Sequence, residues 1–416
     1  MLRKLKRISF LLLFNCSACF YDDAFTQQLV CVDYVKLLTD STELHDYRYP
    51  YLKVNKTINS LGDETGLIVS FQDFYQNLLY DIDTLSFEIY NFRNKKSRIL
   101  KVPVDDKFKL HKLKPRYQVD GFYVVDDKLY LLVFNTIYIY EISKSKACRF
   151  LSNYEISKNG FEWFSMVNQN SGVLFRSIPK SNQGVEFLKF KIKNNKIIIS
   201  DSLHLPFDGL KYLYSESTFI SDDNNLIIIG NATSSKVIIL DKNNLNVKTT
   251  FYHSKLVNSD QNDTPDYNNK FAFHNSIHSD SNNFHYQTCY YTNNTIYRSR
   301  SKIVGEFPHF LDVYKLTESG WDSVQTLCEG LYNFKRFRDT SELFGIMHFD
   351  PMSSVNAKIA INGSLFSVGL SYELFTDYTA NKIPFYKFPI AELVAKGKSL
   401  KDKTFKFNLY EYKLVD

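Results

Sequence analysis

Leu226-Ile227-Ile228-Ile229-Gly230 and Val237-Ile238-Ile239-Leu240-Asp241 are two short apolar runs, preceded by Asp223-Asn224-Asn225 and followed by the polar turn Lys242-Asn243-Asn244. Runs this short and this rich in β-branched residues suit buried strands better than helices, because a branched Cβ packs well on a pleated surface and loses rotamer freedom in a helix. The unit is therefore a strand, a polar connection and a second strand.

The same phrase recurs along the chain. Six stretches stand as its second member: Leu78-Leu79-Tyr80-Asp81-Ile82, Ile137 to Ile142, Phe187 to Ile192, Val237 to Asp241, Leu311 to Leu316, and Phe385-Tyr386-Lys387-Phe388-Pro389-Ile390. They are spaced by roughly 50 to 75 residues, about one four-stranded unit plus loops. Recurring antiparallel units of that size predict an all-β chain folded as a β-propeller of six blades. Alternation in Ile137 to Ile142 sends every second side chain to one face, as a strand between neighbouring blades requires. The two longer steps predict inserted loops at Val257 to Asn283 and Asp377 to Pro384. One short helix is predicted at Ala391-Glu392-Leu393-Val394-Ala395.

Turn chemistry agrees with this reading. Asn-Asn pairs occur at 194–195, 224–225, 243–244, 268–269, 282–283 and 293–294 in a chain with Gly 15. Asn tolerates the left-handed conformation of tight turns, so it takes the place that glycine holds elsewhere. A biased genome would enrich Asn, Lys, Ile, Phe and Tyr as well, and the two explanations are compatible. A propeller must also close. The alternating segment Phe405 to Leu414 is either the closing strand, with a partner between Val30 and Leu37, or the completion of the last blade.

The amino terminus reads as an export signal. Arg3, Lys4, Lys6 and Arg7 precede the apolar Ile8 to Phe14 and then Asn15-Cys16-Ser17-Ala18-Cys19-Phe20-Tyr21-Asp22-Asp23. The apolar core is about seven residues, against the roughly twenty of a membrane-spanning helix, so removal is expected. Ser17-Ala18-Cys19 resembles the end of a bacterial lipobox, with Cys19 the preferred acyl acceptor and Cys16 the alternative. An ordinary secretory signal cut near Ala18, and a Cys16–Cys19 redox or metal pair, are the other readings. The boundaries expected are 1–18 signal, 19–50 lipidated tether and first strand region, and 51–416 propeller.

On Cys19-Phe20-Tyr21-Asp22-Asp23 and blade phrases such as Asp223 to Asp241, the chain resembles the six-bladed β-propeller lipoproteins of the Bacteroidetes, many of them domains of unknown function. Asp22-Asp23 resembles the acidic signal that sends such lipoproteins to the outer face of the outer membrane. The chain departs from familiar propellers in having Trp321-Asp322 as its one Trp-Asp pair. The resemblance carries over no catalytic residue.

Composition narrows the chemistry. Hydrophobic residues at 44% and charged at 23% describe a chain able to bury a core. Of the net charge of +6, four positive charges sit in the leader, leaving about +2. That is too dilute for the concentrated basic surface that nucleic acid needs, so no nucleic-acid partner is expected. Lys189, Lys191, Lys193 and Lys196 alternate with apolar residues and read as a solvated strand face. Cys31, Cys148, Cys289 and Cys328 are too far apart for a metal knuckle and read first as core thiols, though two disulfides in any of three pairings would fit. No G-x-S-x-G, H-E-x-x-H, phosphate loop or dinucleotide fingerprint is present, and no cofactor is expected.

The candidate sites are few. His274, His278 and Asp280, near His253, His285 and His309, are the residues that would hold a metal or shuttle protons. On a strand, however, His274 and His278 lie about 13 Å apart, so a polar loop is expected there and no metal. Asp260 to Asp266 lacks the glycine and distal glutamate of a helix-loop-helix calcium site and reads as a solvated loop. Trp163, Tyr286, Tyr290 and Tyr291 are the aromatic candidates for a recognition surface, although in a chain this aromatic most such rings are expected to pack between blades. Asn55, Asn231, Asn262, Asn293 and Asn362 stand in N-x-S/T triplets.

Three functions follow as expectations. The first is an exported, surface-anchored binding module for a glycan, peptide or protein. The second is a propeller polysaccharide lyase or hydrolase drawing residues from several blades, with His274, His278 or His348 beside Asp350 at the channel mouth. The third is a soluble secreted glycoprotein or ligand carrier.

Overall fold

The computed structural model describes residues 28–40, 50–73, 84–103, 119–133, 135–143, 147–156, 161, 163–178, 184–206, 218–223, 225–231, 236–252, 284–286, 289–302, 309–318, 320–329, 358–370 and 406–415. They form a six-bladed β-propeller. Strand β1 (Gln28–Asp40) comes first and is used last. Blade one is β2 (Pro50–Ile58), β3 (Glu64–Asp73), β4 (Thr84–Asn91) and β5 (Lys96–Pro103). Blade two is β6 (Gly121–Val125), β7 (Lys128–Val133), β8 (Thr136–Ile142) and β9 (Cys148–Glu155). Blade three is β10 (Trp163–Asn168), β11 (Ser171–Ile178), β12 (Gly184–Lys193) and β13 (Lys196–Pro206). Blade four is β14 (Thr218–Asp223), β15 (Leu226–Asn231), β16 (Lys236–Asp241) and β17 (Val247–Tyr252).

Blade five divides its inner strand into β18 (Phe284–Tyr286) and β19 (Tyr290–Thr292), both pairing with β20 (Thr295–Lys302), followed by β21 (His309–Thr317) and β22 (Gly320–Glu329). Blade six is β23 (Lys358–Ile361), β24 (Ser364–Leu370) and β25 (Lys406–Val415), with β1 as its outer strand. Residues 406–415 therefore complete the last blade, and Val30 to Leu37 lie in the strand that closes the ring, with Val30 opposite Lys413 and Val35 opposite Leu409.

Blades stack through apolar faces. Val173, Phe175 and Phe187 of blade three pack with Ile227, Ile229 and Leu240 of blade four. Ile228 and Ile239 of blade four pack with Cys289, Tyr291 and Ile296 of blade five. Gly230 lets these two sheets approach, since a Cβ there would stand 2.8 Å from the Cys289 Cβ. Phe92 stacks on Phe366 at 5.3 Å where blade one meets blade six.

Antiparallel order puts all the inner-to-second and third-to-outer hairpins on one face of the ring. These are short. Asn194-Asn195 and Asn293-Asn294 have φ of 52° and 56°, and of 45° and 59°; Asn362-Gly363 has 50° and 80°. Two of the Asn-Asn pairs thus hold both turn positions left-handed, as two-residue hairpins demand. Every other connection joins strand ends on the opposite face, including 104–120, 253–283, 330–357 and 371–405.

Four of the six repeat phrases fall on third strands of blades, β8, β12, β16 and β21. Leu78–Ile82 and Phe385–Ile390 lie outside the described residues, and the third strands of blades one and six are β4 and β25. Among the described residues there is no helix, and Ala391 to Ala395, Val257 to Asn283 and Asp377 to Pro384 lie outside them.

Candidate functional site

At the hairpin-face end of the ring axis, four blades converge on one carboxylate. Asp222, near the end of β14, receives the Lys242 ammonium on Oδ2 at 2.7 Å. The Tyr123 hydroxyl of β6 donates to the same oxygen at 3.2 Å, and the Ser165 hydroxyl of β10 donates to it as well. From across the ring, Lys56 of β2 donates through Nζ to the Asp222 carbonyl oxygen at 2.7 Å, with Asp222 Oδ1 at 3.5 Å. Lys56 also binds Glu64 Oε1 at 2.8 Å. Blades one and four are diametrically opposed, so this network crosses the axis.

The sequence builds it locally. The last residues of each inner strand run into a tight polar turn, so β2, β6, β10 and β14 all deliver side chains to the same level. Lys242 reaches in from the turn after β16, whose backbone is fixed by Lys242 N donating to the Asn225 carbonyl at 2.6 Å.

All six side chains are almost fully enclosed: Lys56, Tyr123 and Ser165 are 0% exposed, Lys242 2%, Asp222 and Asp223 4%. Burial would raise the Asp222 carboxyl, but Lys242 and Lys56 overcome it and hold it at about 2. Burial would lower Lys56, yet Asp222, Glu64 and Asp223 keep its ammonium above the ordinary value. Lys242 is lowered, burial outweighing Asp222. Burial pushes the Tyr123 phenol well up, with the Asp222 charge adding to it. Asp223 is different. Burial dominates there and pushes its carboxyl up to about 7, and Oδ1 has no hydrogen-bond partner.

The adjoining recess is lined by Lys56, Ile58, Glu64, Met166, Asn225 and Lys242 and has room for about one water molecule. The arrangement can lock four blades together, with Asp222 and Glu64 matched to the ammonium groups of Lys242 and Lys56, while Asp223 Oδ1 has no such partner. Toward the other end of the axis, Lys53 donates to the Val119 carbonyl at 3.0 Å, and burial, opposed by Asp120, lowers its pKa to about 8.

The residues singled out in the sequence fare differently. Tyr290 and Tyr291 are 6% and 8% exposed and sit in the cores between blades, so neither offers a ring to a surface ligand. Their position beside Cys289 on the split inner strand of blade five explains this, since inner-strand side chains face neighbouring sheets. Trp163 is half-buried and packs against the interface of blades three and four. Tyr286 stands opposite Arg300 in the backbone register. Cys148 and Cys289 are buried free thiols, and burial raises both to about 11. His274, His278, Asp280, His348, Asp350, Cys16 and Cys19 lie outside the described residues. Among the described residues, no group of three or more His, Cys, Asp and Glu is placed to hold a metal. Asn55 spends its amide on the Phe122 carbonyl at 2.6 Å.

No signal in the sequence marks the axial network, because Lys56 and Asp222 stand 166 residues apart. The repeated strand-end position of Lys56 and Asp222 becomes visible only once the blade register is known.

No family model matches the chain, and no curated protein matches it. Among solved structures, a candidate exported protein of Bacteroides fragilis NCTC 9343 shares the fold at a TM-score of 0.54 and 10% identity, over 94% of this chain and 97% of that one. Hydrazine synthase of Kuenenia stuttgartiensis is similar at a TM-score of 0.36 and 13% identity, over 69% of this chain and 68% of that one. A candidate 6-phosphogluconolactonase of Bacteroides uniformis ATCC 8492 is similar at 0.33 and 11%, over 64% and 70%. At 10% identity the likeness to the Bacteroides fragilis protein is one of fold.

Proposed function

We propose that this chain is an exported propeller that serves as a binding module, anchored at the outer membrane through an acyl group on Cys19 and presenting its long connections to a glycan, peptide or protein. The observation that carries this reading is the asymmetry of the ring. Connections on one face are hairpins of a few residues, whereas the segments 104–120, 253–283, 330–357 and 371–405 all leave from the other. Rigid strands that carry long connections on one side are the usual means of placing recognition loops. The enclosure of the axial network supports the same reading over a propeller enzyme, since Asp222 and Glu64 are already matched to ammonium groups there. An exported likeness of the same fold, the Bacteroides fragilis protein, is consistent with secretion as well.

The test is an array of glycans and peptides probed with the mature chain, then with a version in which 258–282 is replaced by a short Gly-Ser linker. Loss of binding with an unchanged melting temperature is expected from the replacement, and no loss from Lys196→Glu on the hairpin face. Binding that survives the replacement but is lost with Lys196→Glu would place recognition on the other face. Turnover of a polysaccharide abolished by one axial substitution would make the protein an enzyme.

A further inference from the structure

We propose that the ring stands on the bilayer by its hairpin face and directs its long connections away from the membrane; this rests on the reading of Cys19 as the acylated residue. The argument is topological. β1 enters the last blade as its outer strand, and its first residue, Gln28, lies opposite Val415 at the end of β25. β25 runs from the end of the long 371–405 connection toward the hairpin face, so Val415, and Gln28 with it, lie at the hairpin face. Any tether arriving at Gln28 therefore arrives there.

Length then decides between the two orientations. Nine residue steps separate Cys19 from Gln28, which span at most about 30 Å when fully extended. A blade strand of seven or eight residues is about 25 Å long, which is the thickness the ring presents along its axis. With the hairpin face down, the tether has its whole length to spare. With the other face down, the tether would run back along the full blade and keep about 5 Å, into which connections of up to 35 residues would also have to fit. Among the described residues the hairpin face carries short turns. Leu61, at the tip of the β2–β3 turn, is 86% exposed on that face and would be turned toward lipid.

Energy transfer to a headgroup acceptor in vesicles measures this. The acylated protein is reconstituted with a donor dye on Lys196→Cys, at the exposed β12–β13 turn on the hairpin face, or on Glu155→Cys, at the exposed end of β9 on the other face. Background is set by the unsubstituted chain, in which Cys148 and Cys289 are buried. Several-fold greater transfer from position 196 than from position 155 is expected. Equal transfer, or more from position 155, overturns the orientation. Intact mass of the same preparation separates the two failures: absence of an acyl increment that depends on Cys19 overturns the anchor and with it the membrane arrangement, whatever the dyes report.

Discussion

Asp222 balances two ammonium groups from opposite sides of the ring, so neutralising it leaves both enclosed without their shared anion. Breaking one partner of a buried ion pair costs about 3–5 kcal/mol. Asp222→Asn is expected to lower the unfolding free energy from urea titration by that order, and adding Lys242→Met should restore part of the loss, as coupled sites do. A change below about 1 kcal/mol in the single variant would show that the network is not a structural clamp. The neighbouring carboxyl predicts an unusual pH profile. Asp223 stays protonated in the folded ring up to about 7, while the unfolded chain releases its proton near 3.8. The unfolded state thus binds fewer protons across this window, and stability falls as pH rises from about 4 to 7. Asp222 acts in the opposite sense: held at about 2, it adds stability above 3.8 that is lost as pH falls toward 2. Together they place maximal stability on the acid side of neutrality. Urea midpoints across pH 3 to 8 check this, and Asp223→Asn should flatten the decline between 4 and 7.

At the scale of single elements, the hairpin turns and the closing strand are the sensitive points. Asn195 holds φ at 56°, a conformation that costs a non-glycine residue without Asn's local hydrogen bonding roughly 1–2 kcal/mol. Asn195→Ala should destabilise by about 1 kcal/mol and Asn195→Gly should not, whereas Asn170→Ala, in a turn without positive φ, should have little effect. Removing β1 is a larger matter. It exposes the edge of β25, and deletion of 28–40 is expected to give aggregation or strand exchange between copies, visible by size-exclusion chromatography. Much of this level was legible in the sequence. Val237 to Asp241 reads as a strand because its β-branched run is short and bounded, and alternation marks Phe405 to Leu414 as a strand, while its pairing with Val30 to Leu37 is one of two arrangements that closure of the ring leaves open and that the register decides. Periodicity alone does not single out β4 as the third strand of blade one from the apolar run that precedes it. Tyr290 and Tyr291 fall to the packing reading, which the sequence cannot separate from recognition because an aromatic at an inter-blade position and one at an open rim have the same local pattern. Lys56 and Asp222 gave no local sign at all, since only the ring brings them together.

Across the whole molecule, the axial network should make the inner strands the last to open. Amide exchange is expected to be slowest in β2, β6, β10 and β14 and fastest in β5, β9, β13 and β17, the outer edges. Lys56→Met, made in blade one, should speed exchange in β14 of blade four, because the two meet only through the axis. An effect confined to blade one would mean that the network does not couple the ring. The closing strand has a mechanical consequence. β1 and β25 are held by ladder bonds perpendicular to their length, and Gln28 lies beside Val415. Force applied between the two chain ends would peel that ladder apart one bond after another, like a zip. A load held at the far face and resisted through Gln28 instead runs along the strand and strains many bonds at once. A ring tethered at this point is therefore strong against a pull on its cargo and weak against separation of its own ends.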